Sequence, residues 1–279
     1  MIKKYKISVP KSTLNEIYKK VRNFPWSAAQ NMNGWEYGTN LNYLKNISKY
    51  WITKYNWKKF ENKINSFKNY KTKVEDINLH FIFEKSKNPN SKQLLLLHGW
   101  PGSITEFLDI IPRLAHPEKF GGKIEDGFDI IVPSLPGFGF SSQIKKALGP
   151  RKIGKILNKF MVKNLGYKNY FVQGGDWGAT IAGWIGLDSS KNCKGIHINC
   201  LPLRHPKGTK NIKEKKWEKK FNFDQIMQEG YRTQQATKPQ TLSYAMIDSP
   251  VGTAAWILEK FHGWSDLKIG KIEKTFSKD

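Results

Sequence analysis

The sequence predicts an α/β fold built on a doubly wound, mostly parallel sheet, and three observations carry that expectation. Short apolar runs at 93–97, 129–132, 170–172 and 195–198 recur at the spacing of strands separated by helices. The stretches between them, 104–114, 151–165 and 179–187, read as helices, so the alternation implies crossover connections. Gly- and Pro-rich turns at His98–Ser103, Pro133–Ser141 and Gly174–Gly178 follow the first three runs, which puts all three turns on one rim of the sheet.

Taken in order, Tyr5 to Val9 reads as a short strand or extended arm, and Pro10 opens a helix through Leu14, Ile17, Tyr18 and Val21. A turn-rich aromatic stretch runs from Phe24 to Gly38. Leu41 to Phe67 is the longest helical pattern, with Leu44, Ile47, Tyr50, Trp51, Tyr55 and Trp57 as a broad aromatic face suited to a core. From Tyr70 the period changes to two: Val74, Ile77, Leu79, Phe81 and Phe83 alternate about a turn at Glu75-Asp76, a hairpin. The four apolar runs then read as strands buried on both faces. After Leu203 the chain is helical and polar, as in a cap or lid. The expected division is an extension with the first hairpin (1–90), a core (91–203) and an incomplete helical lid (204–279).

Length and composition bound the function. A chain of 279 residues with 39% hydrophobic and 13% aromatic residues is long enough for a buried core and too apolar for disorder. No apolar run approaches the ~20 residues of a membrane-spanning helix. The start, MIKKYKISVPKS, lacks the apolar segment of a secretory signal. Two cysteines, Cys193 and Cys200, form neither a disulfide framework nor a four-ligand zinc site, so a cytoplasmic compartment is expected. The net charge of +24 invites a nucleic-acid partner, yet five of the 47 basic residues are Arg and the rest are dispersed Lys. The densest run, 207–220, carries two Glu and a Trp at spacings that suit a solvated helix face. No nucleic-acid partner is expected.

The chemistry concentrates in Phe171-Val172-Gln173-Gly174-Gly175-Asp176-Trp177-Gly178-Ala179-Thr180. A strand running into small-x-Asp-x-small and then a helix has the pattern of a nucleophile elbow, with Gly174 and Gly178 where strand and helix pack too closely for a side chain. The central residue is Asp176 where Ser is usual. A carboxylate there attacks saturated carbon, opening an epoxide or displacing halide, and leaves an ester that water must then cleave. The plain alternative is an Asp that caps the following helix. His98-Gly99-Trp100-Pro101-Gly102-Ser103 suits an oxyanion loop, with the backbone N–H groups of Trp100 and Trp177 as a pair of donors, each worth ~2.7–4 kcal/mol. His98 is expected to brace that loop by hydrogen bonding, with Gly99 and Pro101 shaping it.

These motifs, in this order and spacing, closely resemble the epoxide hydrolases of the α/β-hydrolase superfamily, in the microsomal-type branch with an N-terminal extension. The resemblance extends through YWITKYNWKKFE, Gly230 to Thr241 and Asp248 to Gly252, and so spans essentially the whole chain. It implies an α/β-hydrolase fold and cofactor- and metal-free hydrolysis of a hydrophobic epoxide to a vicinal diol, a detoxification chemistry. It assigns Asp176 as nucleophile and Tyr231, in the lid, as the proton donor to the epoxide oxygen; the aromatics Trp100, Phe138, Phe140 and Trp177 fit a hydrophobic substrate. Asp248 is expected to cap a helix.

The family pattern also requires a His base and an acid after later strands. Downstream of Asp176 stand His197, expected as a packed core imidazole, His205 in the loop to the lid, and His262 in lid-like sequence. None has the expected context. The pattern stops at Asp279, so the expectation is a C-terminally truncated chain that lacks the base, the acid and the last strands, leaves 195–198 as a sheet edge, and does not turn over. Haloalkane dehalogenase chemistry, an inactive fragment and a Lys-rich nucleic-acid binder are the competing readings. The expected partners are the epoxide and water, with no membrane anchor and a homodimer left open.

Overall fold

The period-two hairpin and the apolar runs become one sheet of seven strands in the computed structural model, which describes residues 1–30, 32, 34–200 and 208–279. Along the chain run β1 (Lys3–Lys4), α1 (Lys11–Arg22), α2 (Leu41–Thr53), α3 (Trp57–Asn65), β2 (Asn69–Val74), β3 (Ile77–Glu84) and β4 (Lys92–Leu97). Next come α4 (Ile111–Ala115), β5 (Phe128–Pro133), α5 (Pro150–Lys159), β6 (Tyr170–Gly174), α6 (Trp177–Asp188) and β7 (Cys193–Ile198). Then follow α7 (Ile212–Gln228), α8 (Gly230–Thr237), α9 (Pro239–Asp248), α10 (Pro250–Gly263) and α11 (Ile272–Thr275). The chain divides into two units, Met1–Ser8 with Trp57–Leu203 and Val9–Asn56 with Arg204–Asp279. Residues 1–90 are thus shared between them.

The first unit holds the sheet, in the order β1-β2-β3-β5-β4-β6-β7. β1, β2 and β3 are antiparallel, and β5, β4, β6 and β7 are mutually parallel. The turn at Glu75 and Asp76 is tight enough to force Glu75 to φ 55°. Alternation along each strand sorts the core onto two faces. Leu95, Leu97, Ile131 and Val172 pack with Ile156 and Phe160 and with Ile181 and Ile185 of α6. Leu96, Ile130 and Val132 pack on the other face with Ile7, Ile64 and Ile111. Each such side chain contributes ~1.5–3 kcal/mol through burial.

Three expectations are corrected. The helical pattern from Leu41 to Phe67 is two helices, α2 and α3, with a break at 54–56. Their apolar faces serve different cores: Leu44, Ile47 and Trp51 pack with Val21 and Val251, whereas Phe60 and Ile64 pack under the sheet. The stretch 104–114 is a short 3-10 turn, Ile104–Phe107, followed by α4, because Pro112 has no N–H to continue a helix and instead starts one. β7 is not buried on both faces. Among the described residues it pairs only with β6, so Ile196 is 44% exposed and His197 is exposed and not a packed core imidazole.

The second unit is helical among its described residues. α1, α2 and α10 meet around Val21, Leu44 and Val251. Asn211 caps α7 reciprocally with Glu214, which fixes the start of the Lys-rich helix. Trp35 stacks on His262 with ring centroids 4.1 Å apart and planes 4° from parallel. Asp248 ends α9 and pairs with Lys20 at 2.9 Å; the cap of α10 is Ser249, whose hydroxyl accepts the Gly252 N–H. The expected capping role of Asp248 is therefore taken by its neighbour, whose shorter side chain folds back onto the first turn.

Candidate active site

Strand register builds the site. Leu97 of β4 and Gly174 of β6 are direct partners in parallel strands, so His98-Gly99-Trp100 and Gly175-Asp176-Trp177 leave the sheet side by side. The Gly175 N–H donates to the Leu97 carbonyl at 3.3 Å and keeps the two exits together. Pro133 ends β5 next to them, and its loop, through Leu135, joins the same rim.

At the turn Asp176 adopts φ 49° and ψ −124°, a conformation that costs a non-glycine residue ~1–3 kcal/mol. The turn is this sharp because α6 packs directly on the strand ends. A Cβ on Gly178 would run into the Leu97 carbonyl, and one on Gly174 into the Gly178 carbonyl. Asp176 stands at the cap position of α6 but makes no side-chain cap hydrogen bond. Its Oδ1 instead accepts the Trp100 N–H at 2.9 Å. Gly99 packs against the same carboxylate, with no room for a Cβ. The Trp177 N–H opens the first turn of α6, where helix geometry provides no intrahelical acceptor and the dipole favours negative charge. The Trp100–Pro101 peptide is cis.

His98 ties this loop to the sheet. Its Nε2 accepts the Leu135 N–H at 3.1 Å, so the ring proton resides on Nδ1, which donates to the Gly99 carbonyl at 3.0 Å. The ring is 1% exposed, with Phe138 edge-on at 5.3 Å. Burial pushes the His98 pKa below the usual imidazole range, against the opposing pull of the Gly99 carbonyl and the Asp176 charge. With both nitrogens committed, His98 holds the loop that begins at Gly99 and has no lone pair free for general-base work. Glu106 is a nearby residue that the motif reading passed over. Desolvation raises its pKa, the Ser103 backbone N–H lowers it, and the Asp176 charge raises it further. The spacing Ser103-x-x-Glu106 is a capping-box signature, the signal that would have found it.

The structure therefore brings together Asp176, Trp100, Trp177, His98, Gly99 and Pro101 in the first unit. Tyr231 lies in α8 of the second, against Trp264 in an edge-to-face contact with centroids 4.8 Å apart. Phe138 packs on His98, whereas Phe140 packs against Tyr5 and His80. His205 lies outside the described residues. Among the described residues, a His–carboxylate hydrogen bond joins His116 Nε2 to Glu84 at 3.1 Å; Glu84 pairs with Ile130 early in β5, on the rim opposite the elbow. No group of three or more His, Cys, Asp or Glu among the described residues is placed to hold a metal, and no described helix is long and apolar enough to cross a membrane.

Comparison with known proteins bears on the family and the fold. The family "Epoxide hydrolase N terminus" matches residues 2–107, and "alpha/beta hydrolase fold" matches residues 92–246. A provisionally named epoxide hydrolase of Stigmatella aurantiaca is 38% identical over 99% of this chain and 63% of its own length. Epoxide hydrolase 1 of Oryctolagus cuniculus is 34% identical over 99% of this chain and 67% of its own. The chain thus spans about two thirds of the length of these relatives. The crystal structure of juvenile hormone epoxide hydrolase from the silkworm Bombyx mori superposes with a TM-score of 0.88 at 30% identity, covering 100% of this chain and 71% of that one.

Proposed function

This chain belongs to the epoxide hydrolase family of the α/β-hydrolase fold, and on that premise we propose that it opens a hydrophobic epoxide through an ester on Asp176. The observation that carries the reading is the Trp100 N–H bond to Asp176 Oδ1. It occupies one carboxylate oxygen and leaves the other as the nucleophile. Asp176 Oδ2 attacks an epoxide carbon, the C–O bond breaks toward oxygen, and Tyr231 supplies the proton that makes that oxygen a hydroxyl. The ester carbonyl oxygen is then Oδ1, already in contact with the Trp100 N–H. When water adds to the ester, negative charge develops on that oxygen, and the N–H groups of Trp100 and Trp177 stabilise it.

Water addition needs a base. His98 is locked as a hydrogen-bond bridge, His197 is exposed on β7, His262 is stacked on Trp35 in the second unit, and the His116–Glu84 pair is on the opposite rim. The residues described here therefore carry the alkylation half of the reaction, and hydrolysis depends on a base beyond those assigned. The aromatic rings of Trp100, Phe138 and Trp177, the last 48% exposed beside the elbow, favour an apolar epoxide. The test is quenched-flow incubation of the full chain with excess styrene oxide. Ester on Asp176 is expected to accumulate to at most one equivalent without sustained diol formation, and Asp176→Asn gives neither. Sustained diol formation would show that a residue of this chain serves as base.

A further inference from the structure

Lysine is among the residues least often buried, because an ammonium removed from water needs compensation. Lys260, late in α10, is 9% exposed. Its ammonium lies 5.1 Å from the ring centroid of Tyr231 and 5.4 Å from that of Trp264, and it pairs with the Glu259 carboxylate. The two rings meet edge to face, and the Trp264 indole N–H donates to Gln228 Oε1 at 3.0 Å, which fixes Trp264 in turn. The cation thus sits against two π systems whose own positions are held. Such contacts strengthen as the cation loses water.

The geometry points to Lys260 as a positioning residue for ring opening: its buried ammonium holds the Tyr231 ring and stabilises the negative charge that builds on the phenolic oxygen as its proton leaves. The inference rests on the reading of Tyr231 as proton donor. In the step concerned, the Tyr231 O–H bond breaks, its proton goes to the epoxide oxygen, and the bonding pair remains on the phenolate. Water later returns a proton to the tyrosine. A cation close to a forming phenolate in a partly desolvated site lowers the energy of that anion more than that of the neutral phenol. Among the described residues, the charged or titratable groups adjacent in the chain to this cluster include Glu259, paired with Lys260 itself, Glu229, paired with Arg232 at 2.9 Å, and His262, which feels the Glu259 charge. Both carboxylates oppose phenolate formation, and each is offset by its cation.

The experiment compares the parent chain with Lys260→Met, which keeps the unbranched stem and removes the charge, with Lys260→Arg, and with Tyr231→Phe. Single-turnover alkylation by styrene oxide is followed by intact mass across pH, and the Tyr231 titration is read from tyrosine labelled with carbon-13 at Cζ, assigned by Tyr231→Phe. Lys260→Met is expected to alkylate about tenfold more slowly with unchanged epoxide affinity, and to raise the Tyr231 midpoint by about one pH unit, the equivalent shift. Lys260→Arg is expected to recover to within about threefold. A side chain that only packs would not move the midpoint. If Tyr231→Phe is slow while Lys260→Met matches the parent in rate and midpoint, the Lys260 inference falls alone. If Tyr231→Phe alkylates at the parental rate, the donor reading falls and the role of Lys260 falls with it. Should Lys260→Met not fold, Lys260→Gln, which retains a polar partner for Glu259, is read on the same scale.

Discussion

Replacing His98 by Leu removes a polar bridge while keeping a buried side chain of similar bulk. Two hydrogen bonds disappear, Leu135 N–H to Nε2 at 3.1 Å and Nδ1–H to the Gly99 carbonyl at 3.0 Å. Around a ring that is 1% exposed, neither orphaned partner gains ready access to water. Each unsatisfied group costs ~1–3 kcal/mol, so the loss of stability is about 2–6 kcal/mol, a large part of the ~5–15 kcal/mol of a typical domain. The same change releases Gly99, and with it the Trp100 N–H that faces Asp176. Loss of one such donor lowers rates by about 10²–10³-fold. The assays are urea unfolding followed by tryptophan fluorescence, and the hydroxide-driven loss of a preformed Asp176 ester, which needs no protein base. The parent also carries a pH signature. Because the folded pKa of His98 is depressed, the unfolded chain takes up a proton below pH ~6.5 that the folded chain refuses. Stability therefore falls as pH drops through that value, by at most ~1.4 kcal/mol per pH unit from this residue, and His98→Leu flattens that slope. An unfolding midpoint equal to the parent's, with an unchanged pH slope, would refute the bridging role.

His80 extends the acid sensitivity. It is buried between Ser134 and Asn69, and burial, with a contribution from Lys71, lowers its pKa to about 3. Its share of stability is present above pH ~6.5 and is lost progressively down to about pH 3; His80→Gln should remove that part of the slope in urea titrations at pH 4 to 7. Gly99→Ala places a methyl group against the Asp176 carboxylate, so alkylation is expected to fall at least tenfold while unfolding shifts by no more than ~3 kcal/mol. Equal alkylation by the variant would mean that the carboxylate does not need that space. Ser249→Ala should cost ~1 kcal/mol through the lost α10 cap. Asp248→Ala should cost less, since its Lys20 pair is exposed; the reverse ranking in thermal melts would return the capping role to Asp248.

The features legible in the sequence are those that short-range sterics dictate. Gly174 and Gly178 announce a turn too tight for side chains, and the alternation of 77–83 and the runs at 93–97 and 129–132 announce strands that pack on both sides. His98 was readable as a brace because it stands between a strand end and a loop that must be held. What stayed hidden depends on neighbours distant in sequence. The residues Lys54, Tyr55 and Asn56 contain neither Gly nor Pro, so nothing local marks the break between α2 and α3, which follows from two cores. The exposure of His197 is set by the absence of a described strand beside β7, not by the pattern GIHI. The N-terminal helix α1 shares a core with α10 through contacts more than 200 residues apart, as between Val21 and Val251. Lys260 looks like any surface lysine until two aromatic rings enclose it.

The central claim, that Asp176 is the alkylated nucleophile, is tested most directly by peptide mapping after brief exposure of the full chain to styrene oxide. Tandem mass spectrometry should place one hydroxy-phenethyl ester on Asp176, labile to mild base, and Asp176→Asn should carry none. Cys200 is an exposed thiol and serves as the control for adventitious alkylation, which base does not reverse. A chain modified at Cys200 but unmodified at Asp176, or one whose ester persists in Asp176→Asn, would contradict the account.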